Sequence, residues 1–137
     1  MNEPLTFQVY APIPAKKNNR VVLNNGVNIP SKEFRLWHRS HLGALKELKR
    51  KHGTFTCPVS ISVGISFKDL HRRDLDNALT SVLDLVKDAE IVDDDDWGHV
   101  PRVTAEAVNF GEHYAIVTIA PLQPQPWYRK LYRKIFK

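Results

Sequence analysis

A chain of 137 residues is enough for one ordinary domain, and 42% hydrophobic with 26% charged residues is a globular composition, neither disordered nor fibrous. No run approaches the roughly 20 apolar residues of a membrane span, and the single cysteine, Cys57, excludes an internal disulfide framework or a multi-cysteine zinc site. The net charge of +5 is unevenly spread: residues 1–68 hold eleven Lys/Arg against three Asp/Glu, residues 69–96 ten Asp/Glu against three Lys/Arg, and residues 129–137 five cations and no acid.

Leu5-Thr6-Phe7-Gln8-Val9-Tyr10 alternates with period two, which predicts a half-buried strand that Pro12 and Pro14 stop. Lys16-Lys17-Asn18-Asn19-Arg20 follows as a polar, basic loop. Val21-Val22-Leu23 and Val27-Asn28-Ile29 flank Asn24-Asn25-Gly26, a tight-turn signal for a small hairpin. Ser31 stands where an N-cap belongs. Phe34, Leu36, Trp37, His41, Leu42, Leu45 and Leu48 then recur at helical spacing as far as about Lys51. Lys46, Lys49, Arg50 and Lys51 complement the carbonyl end of that helix, and Gly53 closes it.

Residues 59–67 form the clearest strand: Val59, Ile61, Val63, Ile65 and Phe67 on one face, Ser60, Ser62, Gly64 and Ser66 on the other. A charged loop over 69–74 leads to an amphipathic helix over about 76–88. Its apolar stripe is Leu75, Leu79, Val82, Leu83 and Val86, and its polar face is Asn77, Thr80, Asp84 and Lys87. Ile91-Val92 runs into Asp93-Asp94-Asp95-Asp96. Residues 100–110 and 114–119 read as two antiparallel strands around Gly111-Glu112. Pro121, Pro124 and Pro126 then break the pattern. The expected fold class is α+β, a mainly antiparallel or mixed sheet of about four to five strands with two helices. The expected organisation is one domain over 1–122 and a Pro-led aromatic and basic tail over 123–137. Met1-Asn2-Glu3-Pro4 lacks the basic-then-apolar layout of a secretory signal, so a cytoplasmic location is expected.

Ten acids packed into 69–96 repel one another unless something cationic relieves them, while the basic remainder suits a polyanion such as nucleic acid. A metal ion bridges the two requirements. Asp74 and Asp76 are two apart, so in extended backbone both side chains project to one side while Leu75 turns into the core. A third carboxylate would come from Asp93-Asp94-Asp95-Asp96, provided that loop folds back beside the start of the helix. Oxygen-only ligands select Mg²⁺, with Mn²⁺ as the alternative, and a metal so held activates water and neutralises a phosphodiester's developing charge. The same residues also have a plain structural reading, in which Asp74 or Asp76 caps the helix and the four aspartates form a solvated loop.

Arg72-Arg73-Asp74-Leu75-Asp76-Asn77, a helix, then Ile91-Val92-Asp93-Asp94-Asp95 resembles the RusA family of Holliday-junction resolvases. Asn18-Asn19-Arg20 after Pro12 and Pro14 is similar to that family's N-terminal segment. The resemblance spans about residues 5–120 in order of elements, and the D-L-D-N block is its specific part. It implies a small α+β homodimer that cuts four-way DNA junctions in recombination and repair, using Mg²⁺ and three aspartates. Asp74 and Asp76 match the paired aspartates, and ungapped spacing puts the third at Asp95, with Asp94 and Asp96 as alternatives. The family pattern carries a lysine four residues after the second motif aspartate; Thr80 stands there, leaving Arg72 or Arg73 to meet the scissile phosphate.

Lys16, Lys17, Asn18, Asn19, Arg20, Arg72 and Arg73 are the expected DNA contacts, although Asn18 and Asn19 also suit a turn and Arg72 and Arg73 also suit ion pairs with Asp69 and Asp74. In the tail, Trp127, Tyr128, Tyr132 and Phe136 either stack on unpaired bases or pack as a helical stripe. The histidines lack zinc-site spacing; His71 and His99 are candidates for proton transfer. No Gly-rich phosphate loop suggests a nucleotide cofactor. Two functions follow: a Mg²⁺-dependent junction endonuclease, or a non-catalytic, basic DNA-junction-binding protein whose aspartates are structural.

Overall fold

Along the chain run β1 (Leu5–Val9), β2 (Arg20–Val22), β3 (Asn28–Pro30), α1 (Lys32–His52), β4 (Val59–Ser66), α2 (Leu75–Asp88), β5 (Arg102–Val108) and β6 (Tyr114–Pro121). The computed structural model describes residues 3–15, 20–22, 24–26, 28–69, 73–108, 111–122 and 134. The expected tail contacts at Trp127, Tyr128, Tyr132 and Phe136 fall outside them.

Alternation determines the main sheet. Val59, Ile61, Val63 and Ile65 of β4 share a face with Ala115, Val117 and Ile119 of β6 and with Phe7 and Val9 of β1, and all of them are buried. The opposite face carries Ser60, Ser62 and Gly64, and Thr6 and Thr118 hydroxyls meet across it at 3.2 Å. The strand order is β1-β6-β4-β5, antiparallel except for the parallel β4–β5 pair, so among the described residues the architecture is α+β, a four-stranded mixed sheet with α1 and α2. β2 and β3 form a separate two-stranded ribbon, as the Asn24-Asn25-Gly26 turn predicts.

One expectation about pairing is corrected. β5 and β6 run in opposite directions but are not partners, because β4 lies between them and bonds to both. A parallel β4–β5 pair needs a crossover, and α2 supplies it.

Both helices contribute to the single core that covers the apolar face. Ser31 caps α1, its hydroxyl accepting the Phe34 N–H, and Gly53, at φ 89°, closes it by donating to the Lys49 carbonyl. Phe34, Trp37, His41 and Leu45 form its buried stripe, whereas Leu36 stays half exposed. His41 Nε2 accepts the Tyr10 N–H and Trp37 Nε1 donates to the Tyr10 carbonyl, so α1 satisfies both backbone groups of the residue that follows β1. Burial holds the His41 imidazole below its usual pKa, which suits a ring that must accept there. α2 buries Ala78, Ser81, Val82, Leu85 and Val86. The edge strand β5 is left largely exposed, including the residues Val103 and Ala107 that share the helix-bearing face. Among the described residues no helix is long and apolar enough to cross a membrane.

Candidate functional site

The D-L-D-N block straddles the start of α2. Asp74 occupies the N-cap position in extended backbone (φ −96°, ψ 120°), yet its side chain makes no capping bond. Among the described residues its carboxylate receives a long 3.4 Å bond from Asn77 Nδ2. Asp76 is exposed in the first helical turn, beside a helix N-terminus whose partial positive charge favours anions. Leu75 packs against the core, as expected, but it already starts the helix, so the two aspartates are not neighbours along one extended strand. Thr80 donates its hydroxyl to the Asp76 carbonyl at 2.9 Å.

Arg73 does not present a free cation here. Its guanidinium forms a two-pronged pair with Asp69, lies 4.6 Å from the centre of the Phe67 ring, and has its pKa raised by the Asp69 hydrogen bond. His113 supports the pair: its Nδ1 accepts the Lys68 N–H, and its Nε2 lies 3.5 Å from Asp69. Of the two readings of Arg73, the described contacts realise the ion pair.

The acidic loop docks elsewhere. Ala89, Ile91 and Val92 are buried, and backbone bonds from Phe55 N to the Ile91 carbonyl and from Ile91 N to the Val86 carbonyl pin this stretch to the C-terminal end of α2. Lys87, in the last turn, lies 3.5 Å from Asp94 and 4.0 Å from Asp95, and Asp94 also accepts the Asp95 N–H. Asp94 accordingly titrates below its usual value, chiefly through that backbone bond, and Lys87 above its own through Asp94 and then Asp95. Asp96 accepts from both the backbone N–H and Nδ1 of His99, which lowers the aspartate pKa and raises the histidine's.

Asp76 and Lys87 are eleven residues apart on one helix, about 16 Å along its axis. The expected fold-back to the start of α2 is therefore replaced by docking at its end, where Lys87 compensates the acids. Asp74, Asp76 and Asp95 are not gathered into one coordination shell. Among the described residues, the one group of three ligand atoms all within 4.8 Å of one another is His38, Asp84 and Asp88. Asp84 lies on the polar face that helical spacing predicts for α2, but no spacing rule pairs it with His38 on another helix.

Lys16, Lys17, Asn18, Asn19 and Arg72 lie outside the described residues, as does His71, and of Arg20 only the backbone pairing in β2 is described. The chain leading into that basic loop is fixed by a residue that no sequence pattern singles out. Ser81, fully buried in α2, donates its hydroxyl to the Pro14 carbonyl at 2.6 Å. Ser81 is five residues beyond Asp76, about 7–8 Å along the axis, so Pro14 is held against the middle of the helix. Compared with known proteins, the chain matches no family model and no curated sequence.

Proposed function

We propose that the protein is a Mg²⁺-dependent, structure-selective endodeoxyribonuclease that cuts four-way DNA junctions as a homodimer, with Asp74 and Asp76 as its metal-holding pair. The observation that carries this reading is the state of those two carboxylates: both exposed at an N-terminus without a side-chain cap, and neither in an ion pair among the described residues. Mg²⁺ fits such a donor set, because it binds through one or two carboxylates and keeps several waters. When bound, it would supply charge neutralisation at the phosphodiester and an activated water.

The chain's own residues do the rest. The α2 N-terminus favours a phosphate oxygen. Lys16, Lys17, Asn18, Asn19, Arg20 and Arg72 hold the DNA backbone; Pro14, two residues before Lys16, is tied to α2 by Ser81. The open β5 edge suits a second copy, which would set two sites across a two-fold junction. A DNA substrate places the protein where the DNA is, which is the cytoplasm in a cell without a nucleus. Asp95 joins the pair only when the acidic loop leaves Lys87, so Asp95→Asn separates a two-carboxylate site from a three-carboxylate one. If cutting survives Asp95→Asn but not Asp74→Asn or Asp76→Asn, the pair suffices.

A second reading has a specific observation in its favour. Asp94 and Asp95 are compensated by Lys87, and Asp96 by His99, as in a structural loop. Under that reading the protein binds junctions without cutting them, and replacing any of the aspartates leaves its DNA chemistry unchanged.

A further inference from the structure

We propose that His38, Asp84 and Asp88 form a transition-metal site, of the kind that takes Zn²⁺ or Co²⁺, clamping α1 to α2 away from the Asp74–Asp76 pair. Asp84 and Asp88 are four apart on α2, so their side chains are neighbours on one face of the helix. His38 faces them from α1, with Nε2 2.8 Å from Asp88 Oδ2. One ligand atom from each of the three lies within 4.8 Å of the other two. A tetrahedral metal with bonds of about 2.0–2.2 Å holds its ligand atoms about 3.3 Å apart. The His38–Asp88 contact would thus open by about half an ångström, a side-chain adjustment, while the Asp84 carboxylate closes in.

The surroundings fit a built site better than a passing surface pair. The three residues line a groove of about 330 Å³ whose other walls include Pro30, Phe34 and Leu42. The His38 side chain is only 18% exposed, while that of Asp88 is 45% exposed, which leaves an open side for a metal to enter. A neutral imidazole and two carboxylates balance the charge of a divalent cation, and the nitrogen donor selects Zn²⁺ or Co²⁺ over Mg²⁺. Arg35 and Arg39 line the same groove, a positive surround that favours an anion beside a bound cation. Asp84 and Asp88 follow Asp76 by eight and twelve residues, about 12 and 18 Å along α2, which keeps the two metal sites distinct.

The test is titration of the full-length, chelator-treated protein with Zn²⁺ and with Co²⁺ in excess Mg²⁺, followed by calorimetry and by the visible absorption of tetrahedral Co²⁺. Wild type is expected to bind one equivalent, to raise its Tm on binding and to show the Co²⁺ bands. His38→Ala and Asp88→Asn should each weaken binding by at least about 100-fold, more than loss of an outer partner costs. Asp76→Asn and His99→Ala should leave it unchanged. Asp88→Asn, isosteric at an exposed position, serves if His38→Ala does not fold. Absence of binding by wild type, or binding that survives both ligand substitutions, overturns the proposal.

Discussion

Replacing Ser81 with alanine removes one hydroxyl from the core side of α2, and the loss can be worked out from its surroundings. The hydroxyl carries one proton, and its 2.6 Å contact with the Pro14 carbonyl is shorter than its 3.2 Å contact with the Asn77 carbonyl, so Pro14 receives it. A buried hydrogen bond contributes about 1 kcal/mol net, and an acceptor left unpaired costs about 1–3 kcal/mol. Alanine returns about 0.5 kcal/mol through better helix propensity. The balance is a destabilisation of about 1–2 kcal/mol. For a domain of this size, with an unfolding entropy of about 0.29 kcal/mol/K, that lowers Tm by about 3–7 °C. Urea denaturation and a thermal melt measure it, with Thr80→Ala as control: the Thr80 hydroxyl also bonds a carbonyl but is exposed, so that variant should stay within about 0.5 kcal/mol of wild type. Because Pro14 leads into the basic loop, Ser81→Ala should also weaken junction binding. A Ser81→Ala protein as stable as Thr80→Ala would refute the tether.

The two perturbed histidines predict opposite pH dependences. His41 is held neutral by burial, so its folded pKa lies below that of the unfolded chain; its contribution is whole above about pH 6.5 and is lost as pH falls toward the folded value. His41→Phe should flatten the slope of urea-derived stability between about pH 7 and 5, and an unaltered slope counts against the buried, accepting ring. His99 has a raised pKa, so its pairing with Asp96 is whole below about pH 6.5 and is lost as pH rises through the folded value. NMR titration should find that Asp96→Asn shifts the His99 midpoint downward. The salt dependence of junction binding should distinguish the basic residues: Lys16→Ala should reduce the slope of log K against log salt by about 1, whereas Arg73→Ala, whose charge Asp69 already balances, should leave it nearly unchanged. An equal loss from both would show that Arg73 reaches phosphate.

What could be read in advance was what local chemistry decides. The Ser31 cap, the helical spacing through Leu45, the alternation of 59–67 and the Asn24-Asn25-Gly26 turn each led to the element found. Partners across space were less legible. Gly111-Glu112 between two strand-like runs looks like a hairpin turn, and only the crossover through α2 makes β5 a parallel neighbour of β4. The Asp74–Asp76 pair was visible as a pattern, since its spacing is local. The docking of Asp94 and Asp95 on Lys87 was not, because it depends on buried Ile91 and Val92 fixing where the loop leaves the core. His38 with Asp88, and Ser81 with Pro14, are likewise products of packing, and no spacing rule links residues 50 or 67 positions apart.

The central claim is that Asp74 and Asp76 serve chemistry on branched DNA. Its most direct test is one denaturing gel: a synthetic four-way junction and a linear duplex of the same arms, each with Mg²⁺ or EDTA, treated with wild type or Asp76→Asn. The account predicts symmetric nicks in the junction alone, only with Mg²⁺ and only from wild type, while Asp76→Asn still binds the junction at least as tightly. Tight junction binding with no cut in either Mg²⁺ or Mn²⁺, unchanged by Asp76→Asn, would contradict it and leave a binding protein with structural aspartates.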